Sequence, residues 1–546
     1  MKFTRREMLR LVGGAALALP LITACGGGNS GTASSSGKSS SLPSDNGQSA
    51  PDGSTGALRR STAPLPAPFT VPLPIPPVLQ PVRSDGTTDY YEITQRVGRA
   101  SILPGLATEI WGYNGIFPGP TIETRRGRQA IVRHRNELSV PTVVHLHGAK
   151  TAPEHDGYPT DLVLPVSGWS GGHGDHAAMM GNISQGTRDY IYPLDQQAAT
   201  LWYHDHRMDF TGPQVYKGLA GFHLVHDAVE EALPLPQGER AIPLMICDRS
   251  FAADGSFAYP SLDPTLHDKP GVTADFAAGV LGDVNLVNGA AWPFLEVTNT
   301  RYRFRIVNAA NARRYRLELD PAPREGTAFI QIGSDAGLLG QPIKQKRLEI
   351  GQAMRFDIVI DFSAYPVGTQ VTLVNTYVDE GAGRQVMRFN VVRAAKDDSA
   401  VPPRLVEFAP LQRSAATVTR EFRFAQDGGS GMWAINGKPF DPQRIDAQPQ
   451  LGATEIWRIT SEQDHPFHIH LAPFQVLGRG RSTLGIGGAS GNPGPYDAGW
   501  KDTVYVPSSE QVELILKFDS YRGKYIFHCH NLEHEDMAMM ANFQVV

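Results

Sequence analysis

Histidine is the residue type whose spacing is most informative in this sequence. Four His-x-His pairs occur, and they hold eight of the 17 histidines. Alternate residues of a β-strand point to the same face, so each pair presents two imidazoles side by side. A single pair is weak evidence of a metal site, but four pairs in one chain are not explained as surface or core histidines. The pairs are His145/His147, His204/His206, His468/His470 and His528/His530.

A cysteine inside the last pair indicates which metal is bound. Cys529 is followed by a histidine five residues later and by a methionine ten residues later. Imidazole suits several transition metals, but one thiolate with two imidazoles and a weak thioether selects copper. The pattern therefore predicts a mononuclear blue-copper site. The residues that fit it are His465, Cys529 and His534 with Met539, and Met537 and Met540 are alternatives to Met539.

Composition excludes several classes of function. The chain has 546 residues, with 50 Lys+Arg and 55 Asp+Glu, so its formal charge is −5. This weak acidity argues against a nucleic-acid partner. Hydrophobic residues make up 41% and charged residues 19%, which is typical of a globular protein. Three cysteines are too few for a disulfide scaffold, and the apolar run around Cys247 predicts a buried thiol.

Short strands must position these side chains. Segments rich in β-formers alternate with turn signals such as Asn288-Gly289 and Asn436-Gly437, and long helical periodicity is scarce. Regularly spaced short strands predict an all-β chain built of β-sandwiches. Breaks near 228–240 and 395–403 divide it into three predicted domains, 63–228, 229–400 and 401–546. The predicted strands include 129–135, 143–147, 301–307, 455–459 and 524–530.

The first 62 residues lie outside these domains. Residues 1–25 resemble a twin-arginine export signal, with Arg5-Arg6 before an apolar stretch too short to span a bilayer. The stretch ends at Cys25 in a sequence that resembles a lipobox. Residues 26–62 carry almost no large apolar side chains and predict a disordered Gly/Ser-rich tether. We expect an exported, extracytoplasmic protein of the cell envelope or periplasm, which contacts a membrane only through a lipid on Cys25.

The four histidine segments together resemble the four copper-binding motifs of the multicopper oxidases. Gly157-Tyr158-Pro159, Trp292-Pro293 and Gly499-Trp500-Lys501-Asp502-Thr503 are similar to the bacterial spore-coat laccase group, whose relatives include bilirubin oxidase and phenoxazinone synthase. The resemblance implies three consecutive cupredoxin-like β-sandwich domains. It also implies four copper ions, one of type 1, one of type 2 and two of type 3. The middle domain carries none of the motifs and is expected to act as a spacer.

The resemblance implies a role for each residue of the motifs. It divides a trinuclear copper cluster between the first and third domains, which must then pack together. The implied ligands are His465, Cys529 and His534 with axial Met539 for type 1, His145 and His468 for type 2, and His147, His204, His206, His470, His528 and His530 for type 3.

Two carboxylates are candidates for catalysis, because the reduction of O₂ consumes protons. Asp156, nine residues after His147, and Glu535, directly after His534, match carboxylates with this role in the resembling group. The alternatives are a turn residue in an Asp-Gly pair for Asp156 and a solvated acid for Glu535. Asp205 lies between two ligands and is expected to point away from them in a regular strand.

Two glycine-rich loops carry weaker signals. His173 and His176, followed by Met179-Met180, could form an accessory metal loop, but the composition favours a flexible surface loop. Residues 478–499 lie between two type 1 ligands in the sequence and could border the approach of the substrate. Their composition itself indicates only a loop.

The adjacency of His528, Cys529 and His530 has a consequence for mechanism. In a strand the cysteine points to one face and its neighbours to the other, so one tripeptide touches two metal centres and can carry electrons between them. The resemblance implies a laccase-like oxidase that couples four one-electron oxidations of phenols or aromatic amines to the reduction of O₂ to water. The alternatives are a metal oxidase for Cu(I), Fe(II) or Mn(II), and a copper-binding protein without turnover. Only 12 methionines occur, in no long run, which weakens the Cu(I) alternative. We expect a monomer, because three domains suffice for both centres.

Overall fold

Strands are the dominant secondary structure of the computed structural model, which describes residues 56–169, 181–378, 381–429, 431–481 and 491–546. The all-β prediction is confirmed. The export signal with Cys25, the tether as far as residue 55, and the loop with His173 and His176 lie outside the described residues, as does 482–490 of the second glycine-rich loop. The prediction of a disordered tether is wrong for its last residues, because Ala57–Leu58 form a strand paired with 280–281 and Ser61 bonds to Asp283.

The first sandwich joins a sheet of five strands to a sheet of four. β1 Ala57–Leu58 precedes this sandwich in the chain. The sandwich's own part of the chain contains β2 Arg83–Ser84, β3 Thr88–Ala100, β4 Thr108–Tyr113, β5 Gly119–Arg125, β6 Gln129–Asn136, β7 Val144–His147, β8 Val163–Leu164, β9 Ser184–Gln185, β10 Thr187–Tyr192, β11 Ala199–Asp205 and β12 Ala220–His226. The five-stranded sheet has the order β10-β6-β3-β2 with β4 on β3, and the other has the order β5-β12-β11-β7. Tyr91 and Val132 from one sheet pack against Leu146 and Leu201 from the other in a common core.

The second sandwich is the largest. Its strands are β13 Ala241–Arg249, β14 Val280–Leu281, β15 Val284–Val287, β16 Ala290–Ala291, β17 Phe294–Thr298, β18 Arg301–Asn308, β19 Tyr315–Asp320, β20 Phe329–Ser334, β21 Gly337–Gln345, β22 Leu348–Ile350, β23 Arg355–Asp361, β24 Gln370–Asn375 and β25 Gln385–Arg393. The sheet orders are β16-β15-β13-β18-β23-β20-β21 and β17-β25-β24-β19-β22. Phe304 and Phe389, one from each sheet, share its core, in which Cys247 is also buried as predicted.

The third sandwich carries two of the histidine segments. Its strands are β26 Ala416–Gln426, β27 Trp433–Ile435, β28 Thr454–Ser461, β29 His465–Ile469, β30 Phe474–Arg481, β31 Thr503–Val506, β32 Glu510–Lys517, β33 Gly523–Cys529 and β34 Met540–Val545. The sheet orders are β27-β26-β28-β32-β30 and β31-β29-β33-β34. The five strands predicted from sequence agree with observed strands to within two residues at each end. The domain boundaries at 228 and 400 stay predictions.

The helices are short and lie at connections. They are α1 Thr211–Lys217, α2 Ala228–Glu231 and α3 Leu532–Asp536, with 3-10 turns at Pro153–His155, Gly238–Arg240, Ala274–Phe276, Phe362–Ala364, Ala382–Arg384 and Arg413–Ala415. The side chain of Asn531 caps α3 by accepting a hydrogen bond from the N–H of Glu533, which starts the helix just after Cys529. No helix of the described residues is long and apolar enough to cross a membrane.

A buried ion cluster fastens the first sandwich to the second. Glu230 of α2 accepts a hydrogen bond of 2.6 Å from Arg303 and another from Arg305, both on β18. Its second oxygen lies 2.9 Å from Nδ1 of His226 at the end of β12. Because a buried charge is stabilised only with its partners in place, these contacts fix how the two sandwiches meet.

Candidate metal centre

Two paired strands of the first sandwich bring its four paired histidines together. β7 and β11 pair antiparallel, with His145 directly opposite His204, and both strands are buried along their whole length. The spacing of two residues places His147 on the same face as His145. His206 lies just past β11, where its N–H donates a hydrogen bond of 3.0 Å to the carbonyl of Val143.

The third sandwich presents its histidines from a matching pair of strands. β29 and β33 pair antiparallel, with His468 opposite His528. His470 and His530 follow the ends of these strands, and their N–H groups donate to the carbonyls of Ile526 (3.1 Å) and Pro466 (2.7 Å). The backbone therefore holds all four paired histidines of this domain at one end of the sheet.

The two sets of rings meet face to face. His145 stacks on His470 and His147 stacks on His468, each with ring centroids 3.7 Å apart and planes within 21°. All eight paired histidines are at most 1% exposed. The structure thus brings the first and third sandwiches into direct contact through imidazoles.

These rings form three groups in which one atom from each residue lies within 4.8 Å of the others. Two of the groups share His147, and the third is joined to them by the stacking of His470 on His145, so the three groups are contiguous. The groups are His145/His147/His468, His147/His204/His530 and His206/His470/His528.

Each ring has an inner nitrogen, which faces the other rings of its group, and an outer nitrogen, which faces away from them. The partner of the outer nitrogen shows whether the inner nitrogen is free to bind a metal. A backbone carbonyl only accepts, so a ring whose Nδ1 meets a carbonyl carries its hydrogen there and turns a lone pair on Nε2 inward. The inner Nε2 atoms of three such rings are buried without a hydrogen-bond partner. That arrangement is costly in a core but is what a metal ligand requires. The three rings are His145, with Nδ1 2.6 Å from the carbonyl of Asp156, His204, 2.8 Å from Asp205, and His468, 2.9 Å from Asp502.

Burial keeps the imidazoles neutral. It lowers the pKa of His204 and of His465 to about 3, because the charged form loses its hydration. Burial, reinforced by neighbouring imidazoles, also holds the pKa of His145, His206 and His470 well below the usual range. Neutral imidazole is the form that binds a metal, so these ligands need no deprotonation at neutral pH.

A separate group contains the cysteine. Nδ1 of His465 lies 3.3 Å from Sγ of Cys529, Nδ1 of His534 lies 3.6 Å from it, and the two nitrogens are 3.1 Å apart. The three atoms form a buried triangle with two nitrogens and one sulfur. Burial raises the pKa of the Cys529 thiol, so a bound cation is needed to hold it as a thiolate. The N–H of Asn531 points at the same sulfur from 3.4 Å.

The methionines beyond the cysteine differ in their surroundings. Met539 is buried in the apolar cluster that contains Cys529. Its N–H donates to the carbonyl of His534 (3.0 Å), and its carbonyl accepts from the N–H of Cys529 (3.1 Å). Met537 borders the same cluster, whereas Met540 packs in another one. Backbone contacts to two ligands thus favour Met539 as the fourth.

Comparisons with known proteins establish the family. Residues 95–171 and 172–230 match one family described as multicopper oxidase, and residues 410–546 match a second family of the same description. A laccase of Bacillus subtilis (strain 168) is 36% identical over 526 residues, which cover 87% of this chain and 98% of the relative. The chain belongs to the multicopper oxidase family.

Two further relatives define its fold and class. A bilirubin oxidase of Albifimbria verrucaria is 34% identical, and the alignment covers 87% of this chain and 81% of the relative. The crystal structure of a laccase from Pediococcus acidilactici Pa5930 superposes with a TM-score of 0.75 at 33% identity, covering 89% of this chain and 96% of the other. The predicted cupredoxin-like fold is confirmed. The chain is a laccase-like, copper-dependent oxidoreductase that uses O₂ and a small-molecule reductant.

The four copper ions of a multicopper oxidase fit these groups. The three contiguous histidine groups have the donors of a trinuclear centre, and the sulfur group has those of a type 1 site. Cys529 lies in the sulfur group, His528 in one trinuclear group and His530 in another. The structure thus places the tripeptide between the two centres.

Both candidate carboxylates touch histidine rings of the three contiguous groups. Oδ2 of Asp156 lies 2.6 Å from Nδ1 of His470, and burial raises the pKa of Asp156 to about 6. The two oxygens of Glu535 lie 3.3 Å from Nδ1 of His206 and 3.2 Å from Nδ1 of His528. Neither carboxylate is a solvated acid, since they are 2% and 1% exposed.

Asp205 has a different environment. Its carboxylate accepts hydrogen bonds from the N–H groups of Val143 (3.1 Å) and Arg207 (3.0 Å) and from the side chain of Gln214 (2.8 Å). These contacts tie β11 to its neighbours. Asp205 therefore points away from the ligands and acts on the backbone.

An arginine of the middle domain completes the site, and sequence reasoning missed it. Arg355 is fully buried and donates to both oxygens of Asp502, with Nη1 to Oδ1 at 2.6 Å. It also donates to the carbonyl of Thr200 on β11 (3.0 Å). Oδ1 of Asp502 lies 3.0 Å from Nε2 of His147. The expectation that the middle domain is only a spacer is therefore wrong, since Arg355 connects the first and third domains beside the ligands.

Replacing Arg355 with lysine tests this connection. The guanidinium donates to both oxygens of Asp502 and to the carbonyls of Thr200, Ala353 and Asp335, five hydrogen bonds that the three donors of an ammonium cannot replace. Asp502 therefore loses its position behind His147 and behind His468, whose Nδ1 meets the Asp502 carbonyl. We expect fewer than four copper ions per chain and a weakened type 2 electron paramagnetic resonance (EPR) signal, with the blue absorption retained.

The matched control is Arg303→Lys, which also alters a buried arginine that binds an aspartate with two nitrogens. It should lower stability and leave copper content at four. An Arg355→Lys protein with full copper content and an unchanged type 2 signal would contradict the role of Arg355.

Proposed function

We propose that this multicopper oxidase oxidises phenols and aromatic amines, one electron at a time, at its type 1 site. Four such oxidations deliver four electrons, which reduce one O₂ with four protons to two waters. The observation that carries the proposal is the position of Cys529, which belongs to the sulfur group while its two sequence neighbours belong to the histidine groups. A copper-storage protein needs no such link between two centres.

The grouping of the rings supports the ligand roles that the family resemblance implies. Bound copper would supply one-electron redox chemistry at the sulfur group and O₂ reduction at the histidine groups. The chain's own contribution is to hold neutral, oriented rings in a buried space. We assign type 1 to His465, Cys529, His534 and Met539, type 2 to His145 and His468, and type 3 to His147, His204, His206, His470, His528 and His530.

Asp156 and Glu535 are proposed to serve proton delivery. Each carboxylate lies against the outer nitrogen of a ligand ring, and each has an oxygen without a hydrogen-bond partner. A carboxyl group in such a position can hold a proton and release it toward the centre. Reduction of O₂ inside a buried site depends on groups of this kind, because bulk water is excluded.

Two acids next to His534 are not available to bind Fe(II) or Mn(II), which favours organic reductants. Glu533 accepts hydrogen bonds from Tyr259 (2.8 Å) and Asn311 (2.8 Å), and Asp536 accepts from two N–H groups at the start of α1. Both side chains are at most 5% exposed. Carboxylates that are buried and already bonded do not offer a surface site to a metal ion.

We also propose an extracytoplasmic location, supported by the twin-arginine pattern and by the lipobox-like sequence at Cys25. The tether would separate the enzyme from a lipid anchor. One chain supplies every ligand named above, so a monomer is sufficient for activity.

Oxygen uptake by the copper-loaded enzyme ranks the reductants. We expect faster uptake with 2,6-dimethoxyphenol than with Fe(II), Cu(I) or Mn(II) at equal concentration, because Glu533 and Asp536 near His534 are already hydrogen-bonded. A Clark electrode gives the rates. The absence of uptake with every reductant would reject an oxidase, and faster uptake with a metal ion would favour the metal-oxidase alternative.

Replacing Cys529 with serine tests the type 1 assignment. A hydroxyl does not give the sulfur-to-copper absorption, so the blue colour and the turnover of organic reductants should both disappear. Copper content should fall from four ions to three, because the histidine groups are intact. The control is Cys247→Ser, the thiol buried in the second core, which should stay blue. A blue Cys529→Ser protein would refute the assignment.

Replacing Asp156 with asparagine tests proton delivery. The amide oxygen can still accept from His470, but the side chain no longer carries a proton, so kcat should fall by about 100-fold. Copper content and both EPR signals should persist. Asp161→Asn is the control, since Asp161 lies in the same loop and bonds to the N–H of Asn182. Turnover equal to that of the control would exclude Asp156 as a proton donor.

A further inference from the structure

The type 1 site is covered by a turn of the middle domain, residues 274–279, which we call the lid. We propose that the lid determines which reductants this enzyme accepts. It excludes hydrogen bonding between a reductant and the ring of His534, so electrons enter across the lid. The inference rests on the proposed function, because it concerns the reductant of the same type 1 site.

The ring of His534 has no free donor. Its Nδ1 faces Cys529 and His465, so in the copper-binding tautomer the hydrogen is on Nε2. Nε2 lies 3.1 Å from the carbonyl oxygen of Ala278 in the lid. The side chain of Asn531 donates to the same oxygen from 3.1 Å. His534 is fully buried, and a phenol could bond to its ring only by displacing Ala278.

A second carbonyl of the lid is bound to the other flank of the site. The indole of Trp433 stacks on His534, with ring centroids 3.8 Å apart and planes 28° from parallel. Its Nε1–H donates a hydrogen bond of 3.0 Å to the carbonyl of Ala277. The carbonyls of Ala277 and Ala278 therefore hold the lid against Trp433 and against His534.

The lid is anchored in the fold independently of the ligands. Phe276 packs on a small apolar cluster formed by Tyr216, Val272 and Val280. The carbonyl of Gly279 accepts from the N–H of Ala57, where β1 joins β14. Gly279 has φ +135°, and a Cβ there would lie 2.6 Å from Cβ of Ala312, so this close approach requires glycine.

These contacts define the class of reductant. A donor that reacts without bonding to the ligand ring gives up one electron across the lid, through the Ala278 peptide or the Trp433 indole. A phenol that reacts in this way releases its proton to solvent. The enzyme should therefore rank reductants by how readily they lose an electron, with little preference for a hydroxyl that could bond to an imidazole.

The test opens the lid in the full-length holoenzyme with Phe276→Ala, which leaves the ligands and Trp433 in place. The rate at which each reductant bleaches the blue absorption is measured without O₂ in a stopped-flow instrument. The two reductants are 2,6-dimethoxyphenol and ferrocyanide. We expect the ratio of the phenol rate to the ferrocyanide rate to rise about tenfold, the effect of one gained hydrogen bond. Hydrogen exchange of the peptide containing 274–279 reports whether the lid has opened.

The matched control is Phe257→Ala, which removes a phenylalanine from the same cluster but outside the lid. It should leave both the rate ratio and the hydrogen exchange unchanged. A second variant replaces residues 274–277 with two glycines and opens the lid by shortening it. An unchanged ratio in both lid variants would overturn the proposal. Because the rates are measured without O₂, this result is distinct from a failure of the oxidase function, which would appear as no oxygen uptake by the wild-type enzyme.

Discussion

The whole structure depends on the burial of neutral imidazoles that belong to two different sandwiches. His145 and His147 reach the centre from the first sandwich and stack on His470 and His468 from the third. Each inward nitrogen without a partner costs about 1–3 kcal/mol, which hydrogen bonds on the outer nitrogens do not remove. Metal binding offsets this cost, so copper uptake stabilises the contact between the domains as well as the site. Folding and metal loading are coupled at this interface.

The middle domain acts on both centres without supplying a ligand to the groups described. On one side, Arg355 bridges Thr200 of the first sandwich and Asp502 of the third, and it thereby fixes His147. On the other side, the carbonyl of Ala278 holds His534. The Asp502 carboxylate that Arg355 holds and the Ala278 carbonyl each lie against the outer nitrogen of a ring, the atom that sets the tautomer and orientation of that ring. A domain placed between two metal-binding sandwiches can therefore tune both of them.

Features of the site that depend on local spacing were predictable from the sequence. The i, i+2 pattern predicts that His145 and His147 share a face, and the alternation of a strand predicts that Cys529 and its neighbours serve different groups. The contacts of Arg355 and Ala278 were not predictable in this way. Arg355 is 147 residues from Asp502, and no periodicity relates them. Ala278 acts through its carbonyl, so its side chain carries no chemical signal. The family resemblance marked Asp502 as part of a motif but did not show which partner holds it.

The type 1 site and the trinuclear centre are held by different parts of the chain. Oxidation of the reductant and reduction of O₂ can therefore be altered separately. Rings such as His204 and His528 are held by carbonyls of their own strands, so a change there also alters the sheet. His534 is held by a turn of another domain, and the Ala277 and Ala278 carbonyls of this turn bond to side chains of the type 1 flank. A substitution in the lid can therefore change the choice of reductant and leave the O₂-reducing rings in place. Cys529 connects the two centres through covalent bonds, so such a change need not weaken electron transfer between them.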